Sequence, residues 1–419
     1  MLDTALLKEF QQPFLLSTDM IKHIAVQFRK AMYDGLCGKT SPLKMLPSFL
    51  AAPTGQEKGA YMALDFGGTN IRALLVELYG NGHYAVIRQR HTPLKTSSYD
   101  YTADSVSAEE LFDFIASEIG QIAPAVTLSL GHTFSFPSYQ TDINNAKLIT
   151  WTKELKTTGV ENANITQLLS EALIRRGLAH IRPAAVINDT AGTLLTAAYS
   201  NPAADIGSIC GTGHNTAYLE PWYHSTPMII NMESGNFDKL PLTIFDAKLD
   251  TNSEKPGQQL LEKSVSGRYL GELLRLIINA MIKNGLLPAI EAKRLNIPDA
   301  VTTKDLSLLM ADSVIDLTTV LTLYERTSLQ QIAALLQKRS AQLTAATFYG
   351  ILCHIDPKLE RRHHIAIDGS LYEKMPGYAQ TIQATLTDLC GKSMTSLSTG
   401  LIKNGSGIGA AIAAAMAKK

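Results

Sequence analysis

An α/β fold in two lobes is predicted for this 419-residue chain by three observations. Strand-like groups alternate with helical stretches along its length, which argues for helices packed on sheets. Two segments far apart in sequence each read strand, glycine turn, strand. The chain is also long enough, at 45% hydrophobic residues, to bury a large core in more than one lobe.

The first turn lies in Leu64-Asp65-Phe66-Gly67-Gly68-Thr69-Asn70-Ile71-Arg72 and the second in Ile209-Cys210-Gly211-Thr212-Gly213-His214-Asn215. Adjacent or near-adjacent glycines let several backbone N–H groups point into one concavity, which suits phosphate oxygens. One such turn also reads as an ordinary hairpin that needs glycine. Two, about one lobe apart, suggest two halves gripping one nucleotide from opposite sides. A dinucleotide fingerprint and a Walker loop both run from strand into helix. Here Ile71-Arg72-Ala73-Leu74-Leu75-Val76 continues as a second strand. A phosphate-holding hairpin indicates instead the actin-like ATPase (ribonuclease H-like) architecture.

The elements follow in order. Residues 1–59 read as helix plus connector, closed by a Pro53-Thr54-Gly55 break. Strands begin at Tyr61 and recur at Ala125–Leu130 and Ala184–Ile187. Asp189–Tyr199 is a helix whose opening Asp and Thr suit a cap. Pro256 to about Lys283 and Thr302–Tyr349 are helical, and Ile365–Ile367 is a short strand ended by Asp368-Gly369-Ser370. Gly405-Ser406-Gly407 opens an Ala-rich helix whose small residues permit close packing and whose N-terminus is an anion site.

Composition excludes several classes. Lys+Arg and Asp+Glu are 38 each, so no net field recruits nucleic acid or an anionic membrane. The acidic N-terminal segment is unlike a signal peptide. No apolar run approaches the ~18 residues of a transmembrane helix. Cys37, Cys210, Cys353 and Cys390 lack CxxC spacing and are expected as buried, reduced thiols. A cytoplasmic location is expected. His363-His364 beside Arg361-Arg362 reads as a solvated basic edge.

Six ordered motifs together resemble the hexokinase family from about Tyr61 to the C-terminus. They are Leu64–Val76, Leu130-Gly131-His132-Thr133-Phe134-Ser135-Phe136-Pro137, Ile149–Lys153 with Thr158-Gly159-Val160, Val186–Thr193, Ile229–Gly235, and Pro256–Lys263 followed by Ser266–Glu272. The length fits one catalytic unit. Departures from the family pattern are His132 for Phe, Ser234 for Trp, Asn404 for Asp and Ile408 for Lys.

The resemblance implies ATP-dependent phosphorylation of a hexose, glucose foremost, in a cleft between lobes. The small lobe is expected over 60–188 plus 404–419 and the large lobe over 1–59 plus 189–403. Such chemistry needs positioned phosphates, a metal, a base near the hydroxyl and exclusion of water. Asp189 is the candidate base; from spacing alone it reads equally as a helix cap. Lys153 supplies positive charge near the sugar or the transferring phosphoryl. Ser135, Thr152, Asn188, Asn215, Glu233 and Glu262, with Lys153 and Asp189, would satisfy the sugar hydroxyls. Gln259, one helical turn before Glu262, would assist. Gly67, Gly68, Thr69, Asn70, Gly211, Thr212, Gly213, Gly405 and Ser406 would hold phosphates, with Asp368, Gly369 and Ser370 near the adenosine. Asp65 would face Mg²⁺ through water. Arg72 reads alternatively as a structural ion-pair partner. Another hexose as substrate, or a sugar sensor without turnover, are the rival readings. Monomer and homodimer both remain open.

Overall fold

A computed structural model describes residues 4–152, 155–287, 295–313, 315, 321–391 and 396–417. Among these residues the strands are β1 (Leu46–Pro47), β2 (Lys58–Phe66), β3 (Asn70–Gly80), β4 (His83–Pro93), β5 (Leu128–Phe134), β6 (Ser138–Asp142), β7 (Asn145–Leu148), β8 (Ile181–Ile187), β9 (Ala204–Cys210), β10 (His214–Tyr223), β11 (Thr226–Asn231), β12 (His363–Asp368) and β13 (Leu397–Leu401). The helices are α1 (Thr4–Gln11), α2 (Thr18–Leu36), α3 (Ala108–Gly120), α4 (Ile165–Arg175), α5 (Asp189–Ser200), α6 (Ile244–Thr251), α7 (Leu260–Val265), α8 (Gly267–Lys283), α9 (Thr303–Met310), α10 (Leu323–Ile355), α11 (Ser370–Lys374), α12 (Tyr378–Cys390) and α13 (Gly405–Met416).

Two sheets share one topology. In the first the order is β4-β3-β2-β5-β8, and in the second β11-β10-β9-β12-β13 with β1 added at the outer edge. In each, three strands form an antiparallel meander and two further strands run parallel to the first of them. The glycine turns occupy equivalent places, each joining the first two strands of its meander. This is the two-lobed actin-like arrangement that the turns predict.

Three cores hold the layers. One lies between the second sheet and α1, α2, α7, α8, α10 and α12. A second lies between the first sheet and α3 and α4. The third fills the space between the sheets and contains α5 and α13. Both inner helices are buried over most of their length, which their small residues allow. An added Cβ at Gly409 would sit 2.1 Å from the Gly192 carbonyl oxygen, and one at Gly131 would sit 1.8 Å from that of Ala410. Only glycine permits those approaches.

Several sequence expectations are corrected. The cap of α5 is Asn188, whose Oδ1 accepts the Thr190 N–H at 2.9 Å, so Asp189 is the first helical residue and not the cap. The helical stretch 256–283 breaks at extended Ser266 into α7 and α8. The stretch 302–349 divides into α9 and α10, the latter opened by the Thr322–Glu325 capping box. Gln259 precedes α7 in a left-handed conformation (φ 54°) and so shares no helical face with Glu262. His363 is buried between Asp205 (2.5 Å) and Asp356 (3.1 Å), not on a solvated edge, and these carboxylates hold its pKa above the ordinary value despite burial. Of the cysteines only Cys210 is fully buried, and Cys37 is exposed; all four are free. Among the described residues no helix is long and apolar enough to cross a membrane.

His132 is fully buried on β5, 6.4 Å from the Phe66 ring and 5.5 Å from that of Phe134. Neither ring nitrogen has a hydrogen-bond partner among the described residues. Burial pushes its pKa down to about 3, and that of buried His214 to about 4. Each folded-state value lies below the unfolded value near 6.5, so acid favours the unfolded chain. The stability held by each neutral imidazole is complete above about pH 6.5 and is lost as pH falls towards the folded pKa. Because both buried ring nitrogens lack partners among the described residues, His132→Phe should raise Tm at pH 7. Between pH 6.5 and 4 it should also reduce the pH slope of stability by up to ~1.4 kcal/mol per pH unit. Denaturant titrations at stepped pH read this; an unaltered slope contradicts it.

Candidate active site

The first glycine turn closes on itself, with Gly67 N–H donating to Asn70 O at 3.1 Å. Asn70 Nδ2 also donates to Thr69 Oγ1 at 2.8 Å. In the second turn Gly211 N–H donates to Gly213 O at 3.1 Å. The amides of Gly68, Thr69, Thr212 and Gly213 make no backbone hydrogen bond among the described residues, which leaves them available to an anion. Gly369 packs behind the second turn at φ 125°, where a Cβ would meet Cys210 O at 2.4 Å. Asp368, Gly369 and Ser370 are thereby held against Gly211.

Between the sheets the N-terminus of α13 gathers a polar cluster. Ser406 Oγ donates to Asp65 Oδ2 at 2.8 Å, and Gly405 N–H donates to Asp368 Oδ2 at 3.1 Å. Arg72 Nη1 donates to Asn404 Oδ1 at 2.6 Å and lies 4.0 Å from Asp65 Oδ2. Burial, with a further push from the Asp65 charge, raises the Asp368 pKa above the usual carboxylate range. Arg72 and Asn404 are thus part of this site; the sequence signal was the sixth residue after Phe66 and the residue before the last glycine motif. Among the described residues no group of three or more His, Cys, Asp or Glu could hold a metal ion. The neighbouring carboxylates Asp65 and Asp368 fit a Mg²⁺ that arrives with phosphates and keeps its waters, and the N-terminus of α13 fits the phosphates themselves.

On the other side, Asn188, Asn215 and Glu233 come together in one network with a residue the sequence reading missed, Asn231. Asn215 Nδ2 faces Asn231 Oδ1 (2.9 Å), Glu233 Oε1 (3.3 Å) and Asn188 Oδ1 (3.5 Å). Asn231 Nδ2 donates to Glu233 Oε1 at 2.9 Å. Asn215 Oδ1 accepts the Thr216 and Ser234 N–H groups at 2.7 and 3.1 Å. The signal for Asn231 was a buried polar residue ending the apolar run Met228-Ile229-Ile230. Glu233 adopts φ 52°, a left-handed conformation that turns the chain sharply beneath its carboxylate. A small pocket opens beside this network, lined by Asn188, Asn231 and Glu233 together with Phe134, Phe136, Leu46 and Pro47.

Asp189 is half-buried at the start of α5, with Oδ1 accepting the Thr190 N–H at 2.9 Å. Ser135 follows β5, its N–H bonded to Phe66 O at 3.3 Å. Thr152 follows Trp151, whose ring packs 4.8 Å from that of Phe136 and whose Nε1 donates to Thr157 O at 2.8 Å. That packing ties Trp151, the residue before Thr152, to Phe136, the residue after Ser135. Lys153 lies outside the described residues. Glu262 Oε2 accepts the His214 N–H at 2.8 Å, so this carboxylate sits against the second turn. Among the described residues no hydrogen bond joins the Gln259 side chain to the other candidates, and its carbonyl accepts the Lys263 N–H at 2.9 Å.

Comparison with known proteins agrees with this fold and identifies the family. Two family models, each described as Hexokinase, match residues 6–199 and 205–416. Hexokinase-2 of Oryza sativa subsp. japonica is 36% identical, over 98% of this chain and 91% of its own. Hexokinase-1 of Schizosaccharomyces pombe is 32% identical, over 99% and 91% respectively. Among solved structures, the hexokinase from Schistosoma mansoni complexed with glucose superposes with a TM-score of 0.85 at 31% identity, covering 98% of both chains. A further hexokinase crystal structure gives 0.88 at 31% identity, over 99% of this chain and 100% of that one. A ROK family glucokinase from Streptomyces griseus, at 14% identity and a TM-score of 0.54, shares the fold. The chain belongs to the hexokinase family and is a hexokinase-type phosphotransferase.

Proposed function

We propose that this enzyme transfers the γ-phosphoryl group of ATP to the 6-hydroxyl of a hexose, with D-glucose the preferred acceptor. The observation that carries the reading is the convergence of groups between the sheets. Two glycine turns in equivalent hairpins offer amides to phosphate, and Asp189 opens α5 beside a polar network able to bind several hydroxyls. The small lobe would comprise 60–188 with 404–419, and the large lobe 1–59 with 189–403.

In this mechanism Asn188, Asn215, Glu233 and Glu262 fix the sugar ring, with Ser135, Thr152 and Gln259 assisting, and Lys153 supplies positive charge to the sugar or the transferring phosphoryl group. Buried hydroxyl partners left unpaired cost about 1–3 kcal/mol each, so the set rejects sugars lacking a hydroxyl. Asp189 accepts the 6-hydroxyl proton as the oxygen attacks the γ-phosphorus; the bond to the β-phosphate oxygen breaks and ADP leaves. Gly67, Gly68, Thr69, Asn70, Gly211, Thr212, Gly213, Gly405 and Ser406 hold the phosphates, and Asp368, Gly369 and Ser370 border the nucleoside. Asp65, and Asp368 beside it, would hold Mg²⁺ through its waters, and the ion would neutralise charge on the phosphates. Arg72 stands where it can offset charge on the same groups.

A coupled assay of the purified protein with Mg²⁺·ATP and glucose, fructose, mannose or glucosamine tests the reading. Glucose 6-phosphate formation is expected. No hexose 6-phosphate from any of the four contradicts it, and a better turnover with another sugar reassigns the substrate.

Asp189→Ala should lower kcat by on the order of 10²–10⁴, the range for a general base. Because Asn188 supplies the cap, Tm should change little. Normal turnover in a folded variant removes Asp189 from the chemistry.

Glu233→Ala and Asn231→Ala should act mainly on the glucose KM, since both serve hydroxyls remote from the reacting one. Unchanged KM in both variants excludes the network from the sugar pocket.

A further inference from the structure

We propose that His363 is a positioning residue for the nucleotide: clasped between Asp205 and Asp356, it fixes the register of β12 against β9, so seating Asp368-Gly369-Ser370, and loss of its proton loosens that seat. The proposal rests on the reading above that this tripeptide borders the nucleoside. His363 is buried at the start of β12, about 16 Å along the strand from Asp368. Its Nδ1 lies 2.5 Å from Asp205 Oδ2 and its Nε2 lies 3.1 Å from Asp356 Oδ2. Asp205 is the extra residue of a β-bulge: His364 pairs with Ala204, and the next residue, Ile365, pairs with Ile206. The bulge reverses the alternation of β9. Ala204 lies in the core between the sheets and Ile206 in the core between the second sheet and α10, where an unbroken strand would put both on one face. Asp205 Oδ1 is buried without a hydrogen-bond partner among the described residues, so the bulged side chain is tied across the sheet through Oδ2 and His363.

Beyond the bulge the pairing is regular as far as Asp368, which stands opposite Ile209. Register matters there, because a slip of one residue turns every side chain of a strand to its other face. Only the imidazolium can donate from both ring nitrogens; the neutral ring leaves one carboxylate facing a lone pair. Four charged or titratable groups face this ring or its partners. Burial raises the Asp205 pKa, and His363 opposes it. Burial also works on Asp356, but the Arg361 N–H at 2.8 Å and His363 hold that carboxyl below its ordinary value. The Arg361 guanidinium lies 3.8 Å from the same Asp356 oxygen and keeps its charge. His364, next on β12, is held neutral by burial against the pull of Asp205. Burial pulls on His363 too, yet its two carboxylates outweigh it and raise the pKa. The folded value thus lies above the unfolded value near 6.5. The stability held by the clasp is complete below about pH 6.5 and is lost as pH rises through the folded value. Asn215 and Asn231 stand on β10 and β11, outside β12, so the sugar network is spared.

The test measures Kd of Mg²⁺·ADP by calorimetry from about pH 6.5 to 9.5, with Kd of glucose over the same range as the control. In the wild-type protein the ADP value should rise about fivefold or more in a one-proton step, while the glucose value stays within about twofold. The imidazole NMR signal of His363 should titrate with the same midpoint, a readout that needs no variant to fold. Asp205→Asn keeps the shape and removes the charge. It should bind ADP within about twofold of wild type at pH 6.5 and move the midpoint down by about one pH unit. His363→Asn keeps an N–H towards Asp205 that cannot titrate, and should flatten the profile. A flat wild-type profile, a midpoint that differs from that of His363, or an equal rise in the glucose value overturns the inference. So does an unmoved midpoint in Asp205→Asn, or the full rise retained in His363→Asn. A protein with the expected ADP profile that makes no hexose 6-phosphate defeats the kinase reading alone, and one that binds no ADP defeats both.

Discussion

The close crossing of α5 and α13 is the constraint on which the rest of the site depends. At Gly192 and Gly409 the two backbones touch with no side chain between them. Thr196 Oγ1 donates to Gly405 O at 2.7 Å and Thr133 Oγ1 donates to Ser406 O at 2.8 Å, so hydrogen bonds fix the crossing that the glycines permit. Gly192 is one helical turn from Asp189, and Gly409 is one turn from Gly405. The N-termini of both helices are therefore brought side by side between the sheets. Helix N-termini favour negative charge. The crossing thus concentrates such positions where each sheet also presents a glycine hairpin.

Electrostatics follow from the same placement. Asp65 and Asp368 come from different sheets and meet over α13, one bonded to Ser406 and the other to the Gly405 amide. Their mutual repulsion adds to burial in raising the Asp368 pKa. Arg72, bonded to Asn404, lies 4.0 Å from Asp65 and opposes the rise of the Asp368 pKa. The departures at Asn404 and Ile408 are absorbed here without loss of packing. Asn404 takes the left-handed residue before α13 (φ 58°), a conformation asparagine tolerates, and Ile408 is buried in the core between the sheets.

Much of the fold was legible in sequence because its local signals are strong. Gly67-Gly68 and Gly211-Thr212-Gly213 mark hairpins, and the Ala- and Gly-rich C-terminus could pack only where small residues are required. What the sequence hid was three-dimensional partnership. Asn188 and Asp189 both suit a cap by type, and only the backbone assigns that role to Asn188. His363 stands in a run of basic residues, yet β12 inserts it between Asp356, seven residues before it, and Asp205, distant in sequence. Asn231 carries no motif of its own; its meaning comes from facing Asn215 across β10 and β11. The single helical period of 256–283 likewise concealed the break at Ser266 that sets Glu262 against the second turn.

The most direct measurement of the central claim is a crystal structure of the protein with glucose and Mg²⁺·AMPPNP. The account predicts the sugar O6 within about 2.6–3.2 Å of the Asp189 carboxylate and in line with the γ-phosphorus. It also predicts β- and γ-phosphate oxygens on the amides of the two glycine turns and of the α13 N-terminus. Phosphates bound away from both turns, or an O6 facing a group other than Asp189, would contradict it.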